Sequence, residues 1–245
     1  MLIKEGEIYK LGEHTLACGD CRDNTLVKKL IDANRVSLVI ADPPYGVSYV
    51  ESKTDFTKIK SKKVIENDCF KNEKEYKQFT IEWLSVIRPC LASKNSIYIF
   101  NSDRMIFALK GAMDDSGFKL TQLLIWVKNQ AVIGRMDYLS KHELIAYGWY
   151  GAHAFFKSKD ASVLYCPKPN ASPLHPTTKP ASLIRRLILN SSKVYDTVYD
   201  PFGGSGTTLI ACEQTKRKCL TIEIDPSYCK TIIKRYQKLT RRYPK

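Results

Sequence analysis

The 245-residue sequence lacks any run of about 18 to 20 apolar residues, so no segment is predicted to span a membrane. Its first seven residues, Met1 to Glu7, lack the apolar core of a secretory signal. It has no internal repeat and no Gly/Ser-rich linker, and 44% hydrophobic with 26% charged residues excludes collagen-like and wholly disordered chains. We therefore expect a single cytoplasmic globular domain over residues 1–245, without membrane association.

The cysteines lack the spacing of a zinc site. Cys18 and Cys21 form one CxxC pair, but no second CxxC and no paired histidines follow at the usual distance. In a reducing compartment the eight cysteines are most simply free thiols that serve as small hydrophobic residues. We predict no metal.

Acidic residues are few relative to basic ones. Thirty-nine Lys and Arg face 25 Asp and Glu, which gives a formal net charge of +14. This excess favours a polyanionic partner over an acidic protein or a cationic ligand, although a basic surface kept for solubility would give the same number.

Short apolar runs alternate with amphipathic stretches along most of the chain. Strands are predicted at 14–18, 36–41, 96–100, 123–127, 143–147, 197–199 and 218–222, and helices at about 72–88, 103–116, 180–191, 205–215 and 226–241. This alternation predicts an α/β fold with a doubly wound, mostly parallel sheet. Residues 50–70, rich in lysine, predict a mobile basic loop. Residues 128–175 are predicted to be largely irregular, as functional or disordered segments are.

The first motif is Asp42-Pro43-Pro44-Tyr45, directly after the apolar run 36–41. Ligands of open α/β sheets bind beyond the carboxyl ends of the strands, where an acid would project into the cleft. The two prolines stiffen the turn and remove backbone donors. Carboxylate, Pro43 carbonyl and tyrosine ring together suit a planar ligand with an exocyclic amino group. An ordinary strand-to-loop turn is the alternative interpretation.

The second motif is Asp200-Pro201-Phe202-Gly203-Gly204-Ser205-Gly206-Thr207-Thr208, which follows a predicted strand and opens a helix. No lysine follows Gly206, as a phosphate loop requires, and Leu209 replaces the third glycine of GxGxxG. Nucleoside triphosphates and NAD are therefore disfavoured. The motif suits a nucleoside whose charged end is an amino acid, with Asp200 attracting its ammonium. Glu223 stands 23 residues later at a strand tip, where doubly wound folds bind a ribose diol.

Together the two motifs resemble those of the S-adenosylmethionine-dependent DNA amino methyltransferases in their β-class order, with D/S-PPY first and DPFxGSGTT near the C-terminus. Gly19-Asp20 and His175-Pro176-Thr177-Thr178-Lys179-Pro180 match further family features, and the resemblance covers about residues 14–241. It implies a circularly permuted, Rossmann-like methyltransferase fold of seven strands, six parallel and one antiparallel. Residues 128–175 would be a short target-recognition segment.

The resemblance also implies roles for individual residues. Asp42, Pro43, Pro44 and Tyr45 would be catalytic, and S-adenosylmethionine would be held by Asp20, Lys179, Asp200, Phe202, Gly203, Gly204, Ser205, Gly206, Thr207 and Glu223. The target base must leave the duplex to reach such a pocket, where it would stack on Tyr45. Expected phosphate contacts are Lys53, Lys58, Lys60, Lys62, Lys63, Lys128, Arg135 and Lys141, together with the C-terminal basic residues 234, 235, 238, 241 and 242.

The resemblance implies methylation of adenine N6 in double-stranded DNA, because Asp at the first motif position leans towards adenine in that family. N4 of cytosine is the alternative. An RNA or protein-glutamine substrate is disfavoured by the identity of Asp42 and by the motif order, and a catalytically silent nucleic-acid binder is disfavoured by the intact acids. A homodimer and a cognate restriction endonuclease are partners that the resemblance allows.

Overall fold

The computed structural model describes residues 2–44, 72–131, 137–157, 160–167 and 179–241. Within these ranges lie ten strands: β1 Ile8–Leu11, β2 His14–Cys18, β3 Val36–Ala41, β4 Leu91–Asn101, β5 Phe118–Val127, β6 His142–Tyr150, β7 Ala152–His153, β8 Val163–Tyr165, β9 Thr197–Asp200 and β10 Lys218–Glu223. The same ranges contain α1 Asn24–Ile31, α2 Glu73–Ile87, α3 Ile106–Asp115, α4 Ala181–Ser191, α5 Thr207–Thr215 and α6 Pro226–Thr240.

The strands form one sheet in the order β1-β2-β10-β9-β3-β4-β6-β5-β8, with β7 paired to β4. Strands β2, β10, β9, β3 and β4 are parallel neighbours. Strand β6 is antiparallel to both β4 and β5. The seven strands from β2 to β5 are thus six parallel and one antiparallel, which confirms the predicted fold class.

The predicted strand count was too low, because β1, β7 and β8 extend the seven-stranded core. β1 has four residues, and β7 and β8 have two and three residues that are mostly exposed; strands this short carry little periodic hydrophobic signal. Within residues 128–175 the predicted strand at 143–147 is confirmed as the centre of β6, but the rest of this segment was predicted to be irregular and also contains β7 and β8. Helix α1 was missed. Its N-terminus is capped by the Asp23 side chain, which accepts from the backbone N–H groups of Thr25 and Leu26.

Three helices cover each face of the sheet. In β3, Leu38 and Ile40 face the cluster that contains α4, α5 and α6, whereas Val39 and Ala41 face the cluster of α1, α2 and α3. The alternation follows from the two-residue period of a strand, and burial on both faces explains why 36–41 is almost continuously apolar. In the described part of the chain, no helix has the length and apolar character of a membrane span.

The order of the strands creates a switch point between β9 and β3. Strand β9 leads through α5 to β10 on one side, and β3 leads towards α2 and β4 on the other. Because consecutive connections leave in opposite directions here, a crevice opens beyond the carboxyl ends of these two strands. This crevice is where the fold places a ligand site.

Candidate active site

Four acidic residues lie at four adjacent strand ends. Asp42 follows β3, Asp200 ends β9, Glu223 ends β10, and Asp20 follows β2. The parallel register aligns Val39 with Tyr199. It also aligns Thr221 with Asp200, and Glu223 with Cys18. The two sequence motifs, about 160 residues apart in the chain, therefore meet side by side at the same edge of the sheet.

The Asp42 turn is partly enclosed by protein. Pro43 is buried, Pro44 is half-buried, and the Asp42 side chain is 26% exposed. One carboxylate oxygen, Oδ2, accepts a hydrogen bond from Lys179 Nζ at 2.6 Å. Lys179 was predicted as a cofactor ligand, and the structure places its ammonium against the predicted catalytic carboxylate. Tyr45 lies outside the described residues.

The glycine-rich loop after β9 is fixed by backbone hydrogen bonds. Gly203 N–H donates to the carbonyl of Ile222 at 2.7 Å, and Gly206 N–H donates to the carbonyl of Gly203 at 2.7 Å. Gly206 has φ +80°, and a Cβ there would lie 2.9 Å from Ile232. A Cβ at Gly203 would lie 2.7 Å from Thr221 Oγ1. These glycines let the loop lie directly against β10 and α6.

Arg235 holds the same loop from the side of α6. Its guanidinium donates to the Ser205 carbonyl, to Ser205 Oγ at 3.0 Å and to Thr207 Oγ1 at 3.4 Å. Its position is partly buried. Arg235 therefore fixes the loop through one guanidinium nitrogen, Nη1, and its phosphate contact stays a prediction. Ser205 and Thr207, predicted as cofactor ligands, are buried beside it.

Glu223 joins the glycine-rich loop to the end of β10. Its Oε2 accepts from Gly204 N–H at 2.6 Å, and its Oε1 accepts from Asp225 N–H at 2.9 Å. A carboxylate has about four acceptor positions, so both oxygens retain capacity for hydroxyl donors. The glycine-rich loop thus orients the Glu223 carboxylate through the Gly204 N–H group.

Burial raises the pKa of Asp200 to about 7, although hydrogen bonds from Thr208 and from Phe202 N–H oppose the shift. The negative charge of Asp42 adds to the rise, as expected for carboxylates on neighbouring strand ends. Burial likewise raises the pKa of Glu223 to about 7, against the two backbone hydrogen bonds that it accepts. Buried carboxyl groups with pKa values raised this far, in one crevice, are typical of a functional site.

Asp20 is paired with Arg22. The Arg22 Nε lies 3.1 Å from Oδ1 and 3.0 Å from Oδ2 of Asp20, and Arg22 N–H donates to Oδ1 at 2.8 Å. Burial raises the pKa of Asp20, but these hydrogen bonds outweigh burial and lower it overall. Arg22 also contacts Glu82 on α2 at 3.2 Å. An open cleft beside this pair is lined by Asp20, Arg22, Asp23, Glu82 and Val86.

Phe202 packs against helix α2. Its ring centroid lies 5.9 Å from that of Phe79 and 5.6 Å from that of Trp83, in an edge-on contact with the latter. The Arg22 guanidinium lies over Phe79, 5.3 Å from the ring centroid. These contacts connect the glycine-rich loop to the Asp20 pair, so the two predicted cofactor segments share one wall.

Lys128 does not lie on the surface. Its side chain is 5% exposed, and its Nζ lies 2.8 Å from Glu143 Oε1. The predicted phosphate contact of Lys128 does not fit the structure, because this ammonium is enclosed and paired with Glu143. Lys141 is exposed, as a phosphate contact requires. Sequence reasoning missed Glu143, whose only signal was an acid that interrupts an apolar strand.

The remaining predicted DNA contacts and part of one motif lie outside the described residues. They are the five lysines of the basic loop, Arg135, and the motif residues before Lys179, namely Lys53, Lys58, Lys60, Lys62, Lys63, Arg135, His175, Pro176, Thr177 and Thr178. Arg242 lies outside them as well.

The fold and the site define an enzyme with a doubly wound α/β sheet. Its glycine-rich loop after Asp200 and its proline turn at Asp42 both lie at the crevice between β9 and β3. A family model described as DNA methylase matches residues 36–168 and 149–235. The chain belongs to this DNA methylase family, and it is a DNA methyltransferase of the N6/N4 type.

Curated relatives agree with this assignment. Type II methyltransferase M.HpaI of Haemophilus parainfluenzae is 27% identical over 235 residues, which cover 85% of this chain and 70% of that protein. Type II methyltransferase M2.MboI of Moraxella bovis is 27% identical over 227 residues, which cover 84% and 82%.

Solved structures share the fold. The M1.HpyAVI–SAM complex has a TM-score of 0.68 at 23% identity, covering 90% of this chain and 97% of that chain. The cytosine-N4-specific PvuII DNA methyltransferase has a TM-score of 0.74 at 17% identity, covering 97% and 94%.

Proposed function

We propose that this protein transfers a methyl group from S-adenosylmethionine to N6 of an adenine rotated out of duplex DNA. The observation that carries the proposal is the position of the Asp42 and Asp200 turns, side by side beyond β3 and β9. A cofactor beside Asp200 and a base beside Asp42 would share one crevice.

The cofactor site fits the chemistry of S-adenosylmethionine. The buried Asp200 carboxylate suits the ammonium of its amino-acid end, and Glu223 suits a ribose diol. Asp20 lies at the strand end beyond Glu223, where an adenine edge would extend. Gly203 and Gly206 pack closely against β10 and α6, and the absence of their side chains would let a ligand approach the loop backbone. When bound, the cofactor supplies a sulfonium methyl group to the crevice.

Asp42 and Pro43 would act on the target amine. An exocyclic amine is a poor nucleophile because its nitrogen lone pair is delocalised into the base. Acceptance of its two N–H bonds by the Asp42 carboxylate and the Pro43 carbonyl favours a tetrahedral nitrogen whose lone pair points at the methyl. The transfer would then be an in-line displacement without a covalent enzyme intermediate, favoured by positioning and electrostatics. The N–C bond would form as the sulfonium S–C bond breaks, the thioether would leave, and the amine proton would pass to the hydrogen-bonded Asp42 carboxylate. Asp42 need not be a strong base, because the nitrogen becomes acidic only as it gains the methyl.

DNA would contact the same edge of the sheet. We assign target recognition to residues 128–175 and phosphate contacts to the exposed Lys141 and to the basic loop 50–70, all within one domain over 1–245. Tyr45 would stack on the extruded base. The relatives carry type II names, which supports a restriction–modification role with a cognate endonuclease; a homodimer stays a proposal from the family resemblance.

N4 of cytosine is the second candidate target. It is favoured by the likeness of the fold to the cytosine-N4-specific PvuII enzyme. The identity of Asp42 supports adenine, because the family resemblance associates serine at this position with cytosine.

Nucleoside analysis decides between the targets. Unmethylated genomic DNA is incubated with the protein and S-adenosylmethionine, digested, and analysed by mass spectrometry. We expect N6-methyladenine, and N4-methylcytosine without N6-methyladenine would refute the adenine assignment. Asp42→Ala should abolish transfer and leave cofactor binding largely intact. Glu213→Gln is a matched control, because it alters a paired carboxylate near the opposite edge of the sheet.

A further inference from the structure

Four buried or half-buried charges form a chain at the carboxyl edge of the sheet. Lys179 Nζ lies 2.6 Å from Asp42 Oδ2 and 3.3 Å from Glu143 Oε2. Glu143 Oε1 lies 2.8 Å from Lys128 Nζ. The side chains of Lys179 and Lys128 are 6% and 5% exposed, and that of Glu143 is 17% exposed. The charges alternate along the chain from Asp42 to Lys128 and sum to zero.

Aromatic rings enclose the two ammonium groups. Lys179 Nζ lies over the ring of Phe100, 5.0 Å from its centroid, and Lys128 Nζ lies 5.5 Å from the centroid of Trp126. The two rings meet edge to face at 6.4 Å. Trp126 is itself fixed by a hydrogen bond from Nε1 to the Cys166 carbonyl at 2.8 Å. This rigid apolar wall restricts where each ammonium can lie.

Stability does not explain the four charges. Buried ion pairs are often no more stabilising than apolar side chains of similar volume, because desolvation offsets their attraction. Burial raises the pKa of Glu143, yet Lys179 and Lys128 outweigh burial and lower it overall, so the group is held as an anion. The geometry gives this anion another use, because it lies 3.3 Å from Lys179 Nζ and is held on its other side by Lys128.

We propose that Glu143, clamped by Lys128, is a positioning residue that fixes the Lys179 ammonium against the reacting carboxylate of Asp42. Lys179 lies two residues before α4, and Asp42 directly follows β3. Glu143 is in β6, and Lys128 directly follows β5. The Glu143–Lys128 ion pair, called the clamp below, thus connects β6 and the end of the β5 segment to the proposed reaction centre. This inference rests on the proposed methyl transfer and extends it to residues that touch neither cofactor nor base.

The test removes the clamp as a unit. Glu143→Gln alone leaves two enclosed ammonium groups with one carboxylate and is expected to destabilise the fold, whereas Lys128→Met/Glu143→Gln removes one charge of each sign. We expect the double variant to fold and its kcat to fall by about tenfold to a hundredfold, as misplacement near a reaction centre does. The KM for DNA should stay within about twofold of wild type, because only the reaction step loses its geometry. Glu213→Gln is the control.

A mutant cycle separates positioning from a general structural effect. When Lys128→Met/Glu143→Gln is added to Lys179→Met, kcat should fall no further, because the clamp acts only through Lys179. The proposal would be overturned if the losses in kcat multiplied in the triple variant, or if Lys128→Met/Glu143→Gln kept the wild-type kcat. Total transfer of labelled methyl to unmethylated DNA is the readout. It counts adenine and cytosine products alike, so a wrong base assignment would appear in the nucleoside analysis and leave this test unaffected.

Discussion

Removal of the buried charge at Asp200 should stabilise the protein above neutral pH. Burial raises the pKa of Asp200 from 3.8 to about 7 in the folded protein. Between these two values the folded state retains a proton that the unfolded state has lost. The contribution of Asp200 to the free energy of unfolding therefore falls as the pH rises from about 4 to about 7, and it levels off above the folded pKa.

The magnitude follows from the size of the shift. At about 1.4 kcal/mol for each pH unit, a pKa raised from 3.8 to about 7 corresponds to about 4 kcal/mol. Asp200→Asn removes this charge and keeps an oxygen that can accept from Phe202 N–H, which lies 2.9 Å from Asp200 Oδ1. We expect the cofactor-free variant to be more stable than wild type at pH 8 by up to about 4 kcal/mol, and nearly equal to it at pH 4.

Urea unfolding, followed by circular dichroism across this pH range, measures the effect. Wild type and Asp200→Asn are compared with Asp115→Asn, which alters an exposed carboxylate paired with Lys77. The raised pKa of Asp200 is supported if the free energies of unfolding of Asp200→Asn and wild type converge at low pH and diverge at high pH. A difference that stays constant across the pH range would refute it, because such a difference cannot come from a group that titrates within that range.

Three further outcomes are expected. Asp200→Asn should weaken S-adenosylmethionine binding at pH 8 by calorimetry, because the ammonium loses its counter-charge; equal affinity would contradict the role of Asp200. Gly206→Ala should destabilise the fold by about 2 to 4 kcal/mol in thermal melts, and Gly151→Ala by about 1 kcal/mol. Both glycines have positive φ, but only at Gly206 would the new Cβ meet a neighbour, Ile232 at 2.9 Å. DNA affinity, titrated by fluorescence anisotropy, should fall by about a hundredfold or more between about 50 and 200 mM salt, and a flat response would remove the case for phosphate contacts.

Much of the site was predictable because its signals are local. The apolar run 36–41 becomes β3 with the predicted bounds, and an acid that follows such a strand must lie at its carboxyl end. The glycines of the second motif likewise predict a tight turn, since only residues without a Cβ fit where the loop touches Thr221 and Ile232. These inferences need only the strand period, the stiffness of proline and the freedom of glycine.

Tertiary structure alone decided which strands are neighbours and which charges meet. Strand β9 pairs with β3 across about 160 residues of chain, and no local pattern encodes that register. Lys128 reads in the sequence as a surface charge like Lys141, yet it is enclosed because the pairing of β5 with β6 brings Glu143 to it. A lysine side chain is solvated or buried according to the partners that long-range pairing supplies, and those partners are set by the packing of the whole sheet.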